Sequence, residues 1–72
     1  MWLLERGRRY LFIDFGGTQY WGTVEQTNHV GVRLSGVLFC LKGEEWRIHH
    51  GLDAQTQEQE WRFVREVYEL YQ

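Results

Sequence analysis

Short segments of alternating apolar and polar residues, separated by glycine, run from Arg8 to Ile48 and constrain the fold more than any other feature of the chain. Alternation with a period of two is typical of β-strands, and glycine supplies the backbone angles that hairpin turns require. The chain contains no proline, which argues against a disordered linker and leaves glycine to make the turns. The sequence therefore predicts a mainly β fold over residues 8–48, a five-stranded antiparallel small barrel or bent sheet.

Glycine also marks where the predicted strands turn and bend. Turns between the strands are expected at Gly16-Gly17, Thr27-Asn28-His29, Ser35-Gly36 and Lys42-Gly43-Glu44. Gly22 and Gly31 lie inside predicted strands, where glycine usually indicates a bulge, a sharp bend or the close approach of another backbone. Bends of this kind would allow a single sheet to curl into a barrel.

The C-terminal segment predicts an amphipathic helix over residues 53–71. Thr56 and Gln59 have the capping-box spacing, and apolar residues recur farther on at intervals of three and four. These residues are Trp61, Val64, Tyr68 and Tyr71. With an N-terminal arm or strand at residues 1–7, residues 1–72 are expected to form a single domain.

The cysteine content and the N-terminal segment exclude two classes of protein. Cys40 is the only cysteine, so a small secreted scaffold held by internal disulfides is excluded. The opening apolar residues are followed at once by Glu5 and Arg6, and they have neither the order of a signal peptide nor the length of a membrane span. The chain is therefore expected to be cytoplasmic, without a membrane partner.

The sequence contains no pattern typical of catalysis or metal binding. His49 and His50 are adjacent, and the other histidine and the cysteine, His29 and Cys40, stand at no recognisable ligand spacing. Ser35 is the only serine, with no sequence hint of an oriented histidine and carboxylate. We expect a protein that is not an enzyme and takes no metal, cofactor or small-molecule substrate.

Aromatic residues are more numerous than so small a core needs. The chain has four Trp, four Tyr and four Phe, and each ring can bury roughly 150–250 Å². A cluster of exposed aromatics is the usual mark of a partner or oligomer contact. The candidates are Trp2, Trp21, Trp61, Tyr68 and Tyr71. The leading hypothesis is a small protein interaction module that binds a protein partner or itself through exposed aromatics, a strand edge or the C-terminal helix.

A basic cluster near the N-terminus indicates RNA as an alternative partner. Arg6, Arg8 and Arg9 stand beside Trp2 and Tyr10, and single-stranded nucleic acid is bound by such a mixture of charge and stacking surface. The net charge of −2 counts against this alternative, because nucleic-acid-binding proteins generally carry a strong basic stripe.

Two groups of residues resemble the two sequence motifs of the Sm-like small β-barrels, across residues 11–48. The first group is Gly17, Tyr20, Gly22 and Val24, the turn at Asn28, and Val32 and Leu34; the second is Leu41, Lys42, Gly43 and Trp46. The resemblance implies a five-stranded bent sheet, ring-like homo-oligomers joined through edge strands, and RNA held by two turns, at Asn28, His29 and Lys42. An SH3-like barrel would give much the same pattern. A further alternative is an inhibitor, encoded by a mobile element, of a nucleic-acid-handling complex.

Overall fold

A computed structural model describes residues 2–44, 49–50 and 56–70 of the chain, and these residues fold as one antiparallel sheet. Its strands are β1 (Arg9–Asp14), β2 (Gln19–Thr27), β3 (Gly31–Cys40), β4 (His49–His50), β5 (Thr56–Glu60) and β6 (Val64–Glu69), with a 3₁₀ turn at Trp61–Phe63. The predicted mainly β fold is confirmed. No helix in the described part of the chain is long and apolar enough to cross a membrane.

The sheet follows the order β4-β3-β2-β1-β6, and β5 pairs with the first half of β3. Strand β3 pairs with β5 through its first half and with β4 through its second half, and a bulge separates the two halves. There the register with β2 passes from Thr23 opposite Ser35 to Trp21 opposite Leu38, so that Gly22 faces a bulge. Gly36 lies in this bulge with a φ of 57°, which suits glycine. Of the bulge, bend or close approach predicted at Gly22, the structure shows a bulge, with its extra residue in β3 opposite Gly22.

The same bulge corrects a predicted turn. Ser35-Gly36 was expected to end one strand and begin another at Val37, but β3 runs through this position from Gly31 to Cys40. The positive φ of Gly36 bends the strand without reversing it. The next predicted strand, residues 45–48, lies outside the described residues.

Gly31 allows β5 to approach β3 closely. A Cβ atom at this position would overlap the carbonyl oxygen of Gln59 and would lie 3.0 Å from the Cα atom of Glu60. No side chain fits between the two backbones, so the predicted close approach at Gly31 is confirmed.

The helix predicted over residues 53–71 is wrong across its described part. Residues Thr56–Glu60 and Val64–Glu69 are strands, separated by the single 3₁₀ turn. Spacings of three and four among apolar residues also fit a strand, a turn and a strand, and the valines and Tyr68 favour extended backbone. Strands here supply hydrogen-bond partners to β3 and β1, whose backbone groups would otherwise lack them on one side. Residues 53–55 and Tyr71 lie outside the described residues.

The 3₁₀ turn curls the sheet by joining its two sides. Strand β5 pairs with β3 and β6 pairs with β1, yet only Trp61–Phe63 separates them in sequence. The amide of Trp61 donates to the carbonyl of Val30 at 2.9 Å, and the amide of Phe15 donates to the carbonyl of Phe63 at 3.1 Å. No ladder joins β5 to β6 among the described residues, so the sheet is curled but is not a closed barrel.

The core lies on the concave side of the curled sheet. Its most completely buried side chains are Phe12, Leu34 and Val24. Val64 joins the core from β6. The N-terminal arm, residues 2–7, forms no strand and packs Trp2 and Leu4 against the core cluster. The ring of Trp2 lies 5.8 Å from that of Trp61, so the arm also covers the 3₁₀ turn.

Replacing Gly31 tests the packing of β5. We expect Gly31→Ala to lower the free energy of unfolding by about 1–3 kcal/mol, because the new methyl group must push two backbones apart. Urea unfolding followed by circular dichroism measures the change. Val30→Ala is the matched control: Val30 is 52% exposed and its loss is expected to cost less than about 0.5 kcal/mol. Equal stability of Gly31→Ala and wild type would contradict the close approach.

Candidate partner-binding site

Two exposed phenylalanines lie side by side at one end of the sheet. Phe15 follows β1 and is 68% exposed, and Phe63 ends the 3₁₀ turn and is 48% exposed. The backbone hydrogen bond from Phe15 to Phe63 fixes the two segments to each other. Burial of such rings is strongly favourable, so their exposure at adjacent positions distinguishes this end of the sheet.

Asp14 and Tyr20 provide polar groups to the same cleft as the two rings. The hydroxyl of Tyr20 donates to Oδ2 of Asp14 at 3.2 Å, and the amide of Thr18 donates to Oδ1 at 2.9 Å. These side chains line an open cleft of about 330 Å³ that we call the aromatic cleft. Its lining residues are Asp14, Phe15, Gly16, Tyr20, Gln59 and Phe63.

The electrostatics of the aromatic cleft follow from these contacts. Burial raises the pKa of Tyr20, and the charge of Asp14 and the hydrogen bond to it raise that pKa further. The guanidinium of Arg62 lies 4.6 Å from the centre of the Phe63 ring and also pairs with Glu60 at 2.6 Å. The cleft therefore combines ring faces, one carboxylate and a neutral phenol.

The aromatics predicted to bind a partner do not line this cleft. Trp2 and Trp61 contact each other and pack against the core, and the indole of Trp61 donates to the carbonyl of Asn28 at 2.7 Å. Trp21 and Tyr68 lie together on the opposite face of the sheet. Tyr71 lies outside the described residues.

The predicted basic cluster is largely engaged within the protein. Arg8 forms ion pairs with Glu5 and, at 3.0 Å, with Glu69, and these carboxylates raise its pKa. Arg9 donates to the hydroxyl of Thr23 at 3.0 Å and to the carbonyl of Gly36 at 3.2 Å. Arg6 is exposed.

The two turns that the Sm-like resemblance assigns to RNA lie at opposite ends of the β2–β3 ladder. Asn28 and His29 follow the pair Thr27 and Val32, whereas Lys42 lies beyond the pair Gln19 and Cys40.

Each of the two turns also has a local structural role. Oδ1 of Asn28 accepts the amides of Val30 and Gly31, at 2.8 and 3.0 Å, and so shapes its own turn. The aliphatic stem of Lys42 lies against Gly17. His29 is exposed.

The remaining candidate residues for chemistry or metal binding are Cys40, His49 and His50. Cys40 is buried, and its thiol lies 2.7 Å from the carbonyl of Glu44. Within residues 2–44, 49–50 and 56–70, no three His, Cys, Asp or Glu side chains lie together in a way that could hold a metal ion. The side chains of His49 and His50 are not among those described.

Sequence reasoning missed Phe15 and Phe63. Phe15 was assigned to an apolar face of β1, and Phe63 to a stripe of the predicted helix. The available signal was the position of Phe15 directly before Gly16-Gly17, since a large apolar residue at the rim of a turn has little protein around it.

Comparison with known proteins gives no relative: no family model matches the chain, and no curated protein or solved structure is significantly similar to it.

Replacing Asp14 tests the electrostatics of the aromatic cleft. We expect Asp14→Asn to lower the pKa of Tyr20, because the charge that opposes ionisation of the phenol is removed, while burial still raises that pKa above the ordinary value of a tyrosine. Carbon-13 NMR of labelled tyrosines measures the titration. The control is Glu66→Gln, which is expected to lower the pKa of Tyr68 and leave that of Tyr20 unchanged. An unchanged Tyr20 titration in Asp14→Asn would show that the two side chains do not interact.

The raised pKa of Tyr20 also makes stability depend on alkaline pH. Since the folded protein holds the phenol proton more tightly than the unfolded chain does, this stabilisation is complete below about pH 10 and is lost as pH rises through the folded pKa. We expect the free energy of unfolding of wild type to fall more steeply above about pH 10 than that of Tyr20→Phe. Urea unfolding at a series of pH values measures both slopes, and identical slopes would contradict the expectation.

Proposed function

We propose that the chain is a protein interaction module and that the aromatic cleft binds an extended segment of a partner protein. The observation that supports this proposal most directly is the pair of exposed rings, Phe15 and Phe63, held side by side by a backbone hydrogen bond. Aromatic side chains are enriched at the centres of protein interfaces, where a few of them carry most of the binding energy.

The cleft is organised before any partner binds. Phe15 is fixed by its amide, and Phe63 belongs to a turn whose first residue, Trp61, donates to Val30. Little backbone ordering is therefore needed on binding, so less of the free energy gained from apolar contacts is offset by lost conformational entropy.

The polar groups of the cleft define the kind of segment that fits. The Phe15 and Phe63 rings suit an apolar side chain, and the carboxylate of Asp14 suits a hydrogen-bond donor or a cation next to it. Asp14 is already held by Thr18 and Tyr20, so it presents its charge in a fixed direction. We infer that the cleft recognises an apolar residue of the partner that has a hydrogen-bond donor or a cationic residue directly before or after it.

The resemblance to SH3-like and Sm-like small barrels remains part of this proposal, with one difference in the second Sm-like motif. A small sheet in which β5 and β6 flank a 3₁₀ turn is consistent with an SH3-like or Sm-like arrangement. The second Sm-like motif is placed differently here, because β4, β5 and β6 all follow Lys42-Gly43, where the family has one last strand.

RNA binding and inhibition of a nucleic-acid-handling complex stay predictions. RNA binding draws less support than the partner-binding proposal, because Arg8 and Arg9 already have partners within the chain. No contact of a described residue favours the inhibitor over the other two.

Selection from a displayed library of random peptides tests the proposal. We expect peptides that bind the protein to share an apolar residue and to lose at least about tenfold in affinity against Phe15→Ala and against Phe63→Ala, which is the range of interface anchor residues. Isothermal titration calorimetry measures the affinity, and circular dichroism checks the fold of each variant.

Leu3→Ala is the matched control, because Leu3 is a large apolar residue that is 95% exposed on the arm and lies outside the cleft. The affinity of Leu3→Ala for the selected peptides is expected to equal that of wild type. Peptides that bind all three variants equally well would contradict the proposed site, and so would a library that yields no binder.

A further inference from the structure

The lining of the aromatic cleft is rich in groups that attract a cation. Three of its residues are aromatic, Phe15, Tyr20 and Phe63, and Asp14 adds a carboxylate. The faces of aromatic rings carry partial negative charge, so they attract positive charge as the carboxylate does. The other two lining residues are a glycine and a glutamine, which bring no charge. The cleft therefore combines apolar surface with negative charge.

Phe63 already attracts a cation of the chain itself. The guanidinium of Arg62 lies 4.6 Å from the centre of the Phe63 ring, within the distance at which a ring attracts a cation. Phe63 nevertheless remains 48% exposed and lines the cleft. The residue therefore stands where it attracts positive charge, and it still has accessible surface for a ligand.

Asp14 presents its negative charge to the cleft without a paired cation among the described residues. Its side chain accepts hydrogen bonds from Thr18 and Tyr20, which are neutral donors, and no Lys or Arg in the described part of the chain forms an ion pair with it. A Cβ atom at Gly16 would lie 3.2 Å from Oδ1 of Asp14, so glycine leaves the space beside this oxygen open. Charge complementarity therefore favours a cationic ligand.

The cations that proteins carry differ in their number of N–H donors. An unmodified lysine brings three such donors and an arginine five, whereas a trimethylated lysine brings none. Each donor that leaves water needs an acceptor in the site, and Asp14 already accepts two hydrogen bonds. Trimethyllysine keeps its positive charge and offers methyl groups to the rings, as in the aromatic cages that bind quaternary ammonium groups.

We propose that the aromatic cleft binds the trimethylated ammonium of a lysine in the partner segment. One side chain then supplies both the apolar surface that suits the Phe15 and Phe63 rings and the positive charge that suits Asp14. The cleft is open and has a volume of about 330 Å³, so this bulky head group can enter from solvent. The proposal rests on the proposed function and names the partner residue that the same cleft binds.

Three short peptides that differ in one side chain test the proposal on the wild-type protein. The first carries trimethyllysine, the second carries unmodified lysine, and the third carries a neutral analogue of trimethyllysine in which carbon replaces the ammonium nitrogen. We expect the trimethyllysine peptide to bind at least about fivefold more tightly than either of the others, because only this peptide combines methyl groups with a charge. Two-dimensional NMR with peptide up to about 20 mM measures the affinities, and the amides of Phe15, Gly16 and Phe63 are expected to shift.

Two substitutions separate attraction of the cation from ordinary apolar contact. Asp14→Asn removes the negative charge, and Phe63→Leu removes the ring face but keeps an apolar side chain. Each is expected to weaken binding of the trimethyllysine peptide at least about threefold and to change binding of the neutral analogue less than about twofold. Leu3→Ala, at a residue that is 95% exposed on the arm, is the control and is expected to behave as wild type. Circular dichroism checks the fold of each variant.

Equal affinity for trimethyllysine and its neutral analogue would overturn the proposal, and so would tighter binding of unmodified lysine or no shift of the cleft amides. These results are distinguishable from failure of the proposed function. If peptides selected from the random library still depend on Phe15 and Phe63, the cleft binds a partner segment and only the trimethylated ligand is wrong. If the selected peptides do not depend on those residues either, both proposals are wrong.

Discussion

The 3₁₀ turn at Trp61–Phe63 holds the two sides of the sheet together, and the rest of the structure depends on it. Its first amide donates to Val30 in the β2–β3 turn, and its last carbonyl accepts from Phe15 in the β1–β2 hairpin. Through these two bonds the turn contacts the β1–β2 hairpin and the β2–β3 turn, which lie at opposite ends of β2. The same turn places Val64 in the core and Phe63 at the surface.

The turn contributes both to the core and to the aromatic cleft. The Trp61 ring packs against Trp2 and donates to Asn28, so this side of the turn joins the arm, the β2–β3 turn and the core. Phe63, two residues later, faces outward beside Phe15. A chain of this size buries only about 60% of its unfolded surface, so it needs its apolar side chains for the core. Two exposed rings at one place are therefore unexpected. This exposure is the observation on which we base the proposed binding role.

The sequence predicts the fold well where local chemistry decides it. Alternation identifies β1 and β2, and the glycines at positions 22 and 31 indicate the bulge and the close approach, because each feature leaves a local signature. The segment 56–69 is different. Its apolar spacing fits a helix as well as a strand, a turn and a strand, and only the unpaired backbone of β1 and β3 decides between them. That decision is tertiary, and so is the exposure of Phe63, so neither could be predicted from residue patterns.

The most direct test of this account is a set of backbone NOEs in solution for residues 56–69. The account predicts cross-strand NOEs between β1 and β6 and between β3 and β5, together with slow hydrogen exchange of the Trp61 and Phe15 amides. A continuous series of amide-to-amide NOEs typical of a helix, with fast exchange at Trp61 and Phe15, would contradict it and would remove the aromatic cleft with it.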